Sequence, residues 1–401
     1  MSSRWVVACL VPLLLVGCSS GSGGSGTPST PEPASPSPSP TPTPSPTPTQ
    51  EPSPTPAPTP SPTPSPTVAA EELAGRRVVY SYPGTVPPDA LLARIRQGRV
   101  AGVIFFTENV GDPDAFRAAV ERLRQAQRES PVQRPLLLMT DQEGGKVRRL
   151  PGAPEKSAKE VAGSARPTAE AAATGEAAGR NLASYGLNVN LAPVLDVYTQ
   201  AGDFSDALGR SYSSNPTVVG RLGAAFIKAQ QGVGVAATAK HFPGLGTAPA
   251  GANTDEGPVV LTAGTARLRG VDEVPYRAAI AAGVKLVMLS WAVYPALDGS
   301  RPAGMSPTVV QGELRGRVGY TGVTVSDALE AQALNAYGTT GARAAGAAGA
   351  GVDLLLCSAR SVQQGDEAAA ALAAGLRDGT LERAQFEAAV GRVDALRAGL
   401  G

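Results

Sequence analysis

From residue 68 onward the chain repeats one unit: a short, unbroken apolar run followed by a longer Ala-, Arg- and Glu-rich stretch. The runs lie at 78–82, 100–106, 136–140, 187–195, 233–239, 284–289, 323–325 and 352–356. They are rich in Val, Ile and Leu and are continuous rather than alternating, so each predicts a strand buried on both faces. Such strands belong in a parallel sheet covered by helices. The stretches 114–127, 169–183, 216–231 and 275–282 carry helical spacing, as do 364–377 and 383–399 near the C-terminus. Eight strands with helical crossovers predict a single α/β domain, a (β/α)₈ TIM-type barrel. An open doubly wound sheet is the competing architecture. A Gly-x-Gly-x-x-Gly turn after the first strand would favour it, and Tyr82-Pro83-Gly84-Thr85 is not one.

The first 67 residues have a different character. Residues 1–18 read as an export signal: Arg4 supplies the positive start, and the apolar run from Trp5 to Val16 is short for a membrane span. The run stops at Leu15-Val16-Gly17-Cys18, followed at once by Ser19-Ser20-Gly21. This resembles a bacterial lipobox, which implies acylation of Cys18 and an anchor in the membrane. An ordinary secretory signal is the other reading. Residues 19–67 are a linker, Gly/Ser-rich at first and then Pro/Ser/Thr-rich, with 18 of the 37 prolines between residues 28 and 66. Such a sequence builds no core and favours a disordered, polyproline-like tether. About 40 residues of it at roughly 3.1 Å each would span on the order of 120 Å. A third segment, 68–401, is left to form the barrel.

Composition excludes several function classes. The net charge of +1 provides no electrostatic footprint for nucleic acid or for an anionic membrane surface. Cys9, Cys18 and Cys357 are the three cysteines, too few for a disulfide framework or a metal cluster. Aromatic residues make up 4% of the chain, so a sugar site would rest on hydrogen bonds more than on stacking.

Polar residues gather where the apolar runs stop. Asp141 follows the third run, Asp196 the fourth, Lys240 and His241 the fifth, Ser290 and Trp291 the sixth, and Asp327 the seventh. In a parallel barrel every strand opens its C-terminal end on the same face, so these residues converge on one cleft. A single Asp at a strand end is commonly a helix cap or turn former. Five strands ending in this way point to a site. His241 is the only histidine in the chain.

Five segments carry a wider resemblance. They are Met139-Thr140-Asp141-Gln142-Glu143-Gly144-Gly145-Lys146-Val147-Arg148-Arg149, Gly186-Leu187-Asn188-Val189-Asn190-Leu191-Ala192-Pro193-Val194-Leu195-Asp196-Val197, Gly209-Arg210-Ser211-Tyr212, Lys240-His241-Phe242-Pro243-Gly244 and Thr324-Val325-Ser326-Asp327-Ala328-Leu329. Together, and in this order, they resemble glycoside hydrolase family 3 in its β-N-acetylhexosaminidase branch. The resemblance implies that Asp327 is the nucleophile of a retaining mechanism, forming a glycosyl-enzyme intermediate. It also implies that Asp141, Arg149, Arg210, Lys240 and His241 hold the hydroxyls of a terminal N-acetylglucosamine. Charged donors and acceptors in a partly desolvated pocket suit a polyhydroxylated ring, and nearby cations would keep Asp327 ionised. A purely structural ion pair between Lys240 and Asp141 is the competing role for those two residues. No metal or organic cofactor is implied.

One part of the pattern departs from the family. In that branch the loop after Lys-His-Phe-Pro-Gly continues with His-Gly and then Asp-Ser-His, whose last histidine is the acid/base. Here Leu245 stands at the first histidine, and the later region reads Asn253-Thr254-Asp255-Glu256-Gly257. Loss of general acid catalysis typically costs about 10²–10⁴-fold. One expectation is that Asp255, or alternatively Glu256, takes over as a carboxylic acid with a raised pKa. The other is a catalytically weak or inactive sugar-binding lipoprotein of the cell wall, since a fold can outlive its chemistry. In the blandest reading both acids are solvated loop residues. The leading expectation is an exported glycosidase that removes terminal β-N-acetylglucosamine from cell-wall-derived or related glycans. Its lipid anchor would sit in the outer face of the membrane and its barrel would extend into the wall.

Overall fold

The structure is a computed structural model that describes residues 68–400. The signal segment, Cys18 and the Pro-rich tether lie outside the described residues. Eight parallel strands follow: β1 (Val78–Tyr80), β2 (Gly102–Ile104), β3 (Leu137–Thr140), β4 (Val189–Asn190), β5 (Ala236–Phe242), β6 (Leu286–Leu289), β7 (Val323–Ala328) and β8 (Leu354–Leu356). Each pairs with the next, and β8 pairs back onto β1, so the barrel is closed. Val79 sits in register with Gly102 on one side and Leu356 on the other.

The crossovers are helical. They are α1 (Asp89–Arg96), α2 (Pro113–Arg128), α3 (Pro167–Ser184), α4 (Pro216–Gly232), α5 (Val274–Ala281), a π-helix over Thr308–Arg317, and α6 (Thr340–Ala350). After β8 come α7 (Val362–Asp378) and α8 (Arg383–Ala398). Local sequence starts several of them cleanly. Asp112 and Asn215 each accept two backbone N–H bonds just before a proline in the first turn, and Thr339 caps α6.

Alternate strand residues serve two cores, which is why the runs are apolar throughout. Val79, Leu137, Met139, Leu286, Met288 and Val325 pack with one another inside the barrel. Their neighbours Val78, Tyr80, Leu138, Val287 and Leu289 join the larger core between strands and helices. Val393 and Leu396 of α8 belong to the inner cluster, so the last helix plugs the barrel floor. This two-sided burial is the arrangement the continuous runs predicted.

A buried carboxylate ties the floor together. Asp353, fully buried, accepts from Arg315 Nη2 at 2.7 Å, from Arg392 Nη2 at 2.7 Å and from Thr324 N at 2.8 Å. One side chain thus joins β7, β8, the π-helix and α8. Asp353→Ala leaves two guanidinium groups facing each other without their anion. We expect a loss of about 3–5 kcal/mol in unfolding free energy, read from the denaturant midpoint. An unchanged midpoint would show that the network contributes nothing.

Candidate active site

The C-terminal ends of the strands open on a cleft of about 450 Å³. Its floor is a set of charges drawn from three strands. β3 runs straight into Asp141, then into a short hairpin (Gln142–Gly144 with Val147–Arg148) that carries Glu143. Gln142 holds this hairpin: its side-chain oxygen accepts from the amides of Arg149 and Leu150, and its side-chain nitrogen donates to Leu150 O and Ala153 O. β5 continues beyond its apolar run and delivers Lys240 and His241 as buried residues. The Lys240–His241 peptide is cis, as are Phe242–Pro243 and Ala192–Pro193. The loop after β4 supplies Asp196 and Arg210.

These groups pair closely. Lys240 Nζ, almost wholly buried, lies 2.6 Å from Asp141 Oδ1 and 2.8 Å from Glu143 Oε1. Arg210 grips Glu143 with both arms of its fork, Nε at 2.9 Å and Nη2 at 2.8 Å. Burial alone would raise the Glu143 carboxyl, but Arg210 and Lys240 together hold it well below the usual carboxylate range. Burial pulls Lys240 down, and Asp141 and Glu143 more than offset it, so the ammonium is kept charged. Arg210 is likewise raised against the effect of its burial by Glu143.

His241 is oriented from behind. Its Nδ1 lies 2.9 Å from Asp196 Oδ2, while Asp196 Oδ1 accepts from Leu245 N at 2.8 Å. Asp196 is fully buried and takes no part in the cleft surface. With Nδ1 engaged there, Nε2 is the ring nitrogen left for the cleft that His241 lines. Gly246 lets the same loop run flush against the segment after β4, because a Cβ there would collide with the Val197 carbonyl.

Asp327, the fifth residue of β7, is half-buried in the cleft wall and its Oδ1 accepts from Ala328 N at 2.8 Å. Asp255 lines the cleft from the loop after β5. It is exposed at the rim, yet the protein around its carboxyl favours the neutral form. That desolvation first, and then the charges of Asp327 and Glu330, push it up to about 6 against the pull of His241 and Arg210.

The sequence profile described as glycosyl hydrolase family 3 N terminal domain matches residues 82–396. The chain belongs to glycoside hydrolase family 3. A relative named uncharacterized secreted glycosyl hydrolase, from Arthroderma benhamiae, is 44% identical over 329 residues, which is 82% of this chain and 93% of that protein. A protein named β-hexosaminidase from Stenotrophomonas maltophilia is 34% identical over 270 residues, 65% of this chain and 77% of its own length. Among solved structures, a family 3 β-N-acetylglucosaminidase from Paenibacillus aligns with TM-score 0.77 at 33% identity, over 83% of this chain and 63% of that one. This chain therefore spans under two thirds of the Paenibacillus protein. A β-N-acetylhexosaminidase from Beutenbergia cavernae aligns with TM-score 0.74 at 30% identity, over 82% and 99%.

Within this family 3 barrel, Asp141, Arg149, Arg210, Lys240, His241, Asp255 and Asp327 all line the one cleft. Arg149 Nε is buried and finds no acceptor among the described residues. Glu256 does not line the cleft; it is exposed and its Oε1 accepts from Asn253 Nδ2 at 3.1 Å. Trp291, expected at the mouth, instead braces β7 by donating Nε1 to Ala328 O at 2.8 Å. Two acids escaped the sequence reading. Glu143 is the second acid of a segment already singled out, two positions beyond Asp141, and no local signal marks it as a buried anion. Glu330 lines the cleft three positions beyond Asp327, held by Ser358 Oγ at 2.6 Å and Gln364 Nε2 at 3.0 Å.

Glu143→Gln keeps the shape of the side chain but removes the anion shared by Lys240 and Arg210. We expect kcat/KM on an aryl β-N-acetylglucosaminide to fall about 10- to 100-fold, mostly through KM, as charge-assisted hydrogen bonds that orient both cations are weakened. Steady-state kinetics on the purified variant checks this.

Proposed function

We propose that this chain is a retaining β-N-acetylglucosaminidase, with Asp327 as nucleophile and Asp255 as acid/base. Asp141, Arg149, Arg210, Lys240 and His241 hold the terminal sugar. The observation that carries the reading is the pairing of Asp255 and Asp327 on one cleft, with the Asp255 carboxyl pushed up to about 6. A carboxyl that favours its neutral form, on the same cleft as a second carboxyl, is what acid and nucleophile roles require.

In the first step an Asp327 oxygen bonds to the anomeric carbon while the bond from that carbon to the glycosidic oxygen breaks. Asp255 gives its proton to the departing oxygen, which leaves as an alcohol. In the second step Asp255, now a carboxylate, takes a proton from water as the water oxygen displaces Asp327. Asp327 Oδ1 is occupied by the Ala328 amide, so Oδ2 is the oxygen open for attack. The Arg149 guanidinium in the cleft wall and the remaining Lys240 donor are supplied for sugar oxygens. Glu256, which does not line the cleft and is tied to Asn253, is the weaker choice for the acid.

Two further parts of the proposal rest on sequence. Export agrees with the name of the Arthroderma relative, and anchoring rests on Cys18 at the end of the apolar run. Cys18→Ala is expected to move the protein from the detergent phase to the aqueous phase in a phase-partition assay. The substrate would then be wall-derived glycans carrying terminal N-acetylglucosamine.

The chemical test uses two leaving groups. Asp327→Asn should abolish turnover of every β-N-acetylglucosaminide. Asp255→Ala should lose about 10²–10⁴-fold on a sugar or alkyl leaving group and far less on dinitrophenol, which departs without a proton. Saturable sugar binding by the wild type without any turnover would replace this reading with the sugar-binding one.

The pH profile has a definite sign. The acid must be protonated, so kcat/KM on the poor leaving group should decline as pH rises past about 6, tenfold per unit at the limit. With dinitrophenol that limb should flatten. A limb of equal steepness for both substrates would assign it to another group.

A further inference from the structure

We propose that the backbone amides of Gln332 and Ala333 are the positioning element that fixes Asp255 opposite Asp327. Gln332 N donates to Asp255 O at 3.2 Å and Ala333 N donates to Thr254 O at 3.1 Å. These are the opening amides of a short 3₁₀ helix, Gln332–Tyr337, and they have no partners inside that helix. The carbonyls of the acid-bearing turn satisfy them. This inference rests on the reading of Asp255 as the acid.

Both sides of the junction are themselves held. On the Asp327 side, Trp291 Nε1 donates to Ala328 O at 2.8 Å, Arg343 Nη1 to Leu329 O at 2.9 Å, and Leu329 N to Leu356 O at 3.0 Å. Gln332 is only five residues beyond Asp327, so its amide belongs to the same braced segment. On the other side the turn is a compact unit. Asn253 Oδ1 accepts from Asp255 N at 3.0 Å, and Asn253 O accepts from both Glu256 N and Gly257 N at 3.1 Å. Thr254 is buried.

The need for such a junction follows from the loop's composition. Between Phe242 and Pro258 lie Gly244, Gly246, Gly251 and Gly257, a stretch whose ordering is entropically costly. Carried on that loop alone, Asp255 would be free relative to Asp327. The two amide bonds refer both carboxyls to one frame, so the acid is held in place before substrate arrives.

Gln332→Pro tests this with little collateral change. Gln332 is exposed and is the first helical residue, where proline is tolerated. Ala331 before it has φ −49° and ψ 134°, out of the helical region and with the ψ that a following proline prefers. The substitution therefore deletes one N–H. We expect kcat on a poor leaving group to fall about 10- to 100-fold with KM little changed, and kcat on the dinitrophenyl substrate to move less than about threefold. Gln332→Ala, which keeps the N–H, should restore wild-type turnover. Undiminished kcat on the poor leaving group, or an equal loss on both substrates, overturns the proposal. Asp255→Ala run in parallel separates the two claims. If it loses activity on the poor leaving group while Gln332→Pro does not, only the positioning role fails; if it loses none, the acid assignment fails first. Should Gln332→Pro not fold, amide exchange in the wild type decides. Protection of the 332 and 333 amides on the scale of barrel strands supports the junction, and exchange as fast as in an exposed loop overturns it.

Discussion

The mouth of this barrel depends on one carboxylate held between two cations. Glu143 sits under Lys240 and Arg210, with Asp141 as the second anion on the ammonium. Charges buried to this degree are tolerated only when each finds a partner, and removing one leaves its neighbours uncompensated in a poor solvent for ions. The pairing also leaves unused capacity. An ammonium has three donors and the two carboxylates engage two of them; the Arg210 fork gives Nε and Nη2 to Glu143 and keeps other N–H groups. A largely buried, charge-balanced floor with spare donors is well suited to a ring of hydroxyls, since each hydrogen bond made there is stronger than in water. The floor exists only because three distant stretches of chain meet at one barrel face, so the closed sheet is the precondition of the site.

How much of this could be read from the chain differs between its levels. The helices at 114–127 and 169–183 emerged within two residues of Pro113–Arg128 and Pro167–Ser184, because amphipathic spacing and terminal prolines are local signals. The apolar run predicts a fifth strand that stops at residue 239, and the strand runs from Ala236 to Phe242. Lys240 and His241 look like the end of an apolar run. Partners remote in sequence, Asp141, Glu143 and Asp196, are what let them stay in a buried strand. Glu143 carries no local sign of its role for the same reason: its partners lie 67 and 97 positions away, and nothing in Gln-Glu-Gly-Gly marks a buried anion. The position after β6 predicts Trp291 at the mouth, and only the fold shows its indole turned to brace Ala328. Resemblance to a family brought the cleft residues together in advance. It puts Asp255 ahead of Glu256, but what holds Asp255 at the cleft is an Asn253 turn and the amides of Gln332 and Ala333, 77 and 79 positions beyond Asp255 and Thr254.

The two carboxyls of the proposed mechanism are linked through their charges as well as their geometry. While Asp327 is ionised, its negative charge is the largest influence on Asp255 after desolvation, and it favours the protonated acid needed to expel the leaving group. Once Asp327 is esterified to the sugar, that charge is gone. The same desolvation remains, but the like-charge repulsion does not, so Asp255 drops toward the ordinary carboxylate range just when the mechanism asks it to act as a base. His241 and Arg210, which favour the ionised form throughout, then face less opposition. A histidine in this role would respond with the opposite balance, because its charged form is the acid and a neighbouring carboxylate stabilises it. Replacing a histidine by an aspartate therefore changes which form of the acid Asp327 supports: it favours a neutral acid through repulsion instead of a cationic acid through attraction. This places a demand on distance. Asp255 must stay close enough to Asp327 to feel its charge, and that closeness is a property of the loop's attachment rather than of the residue type.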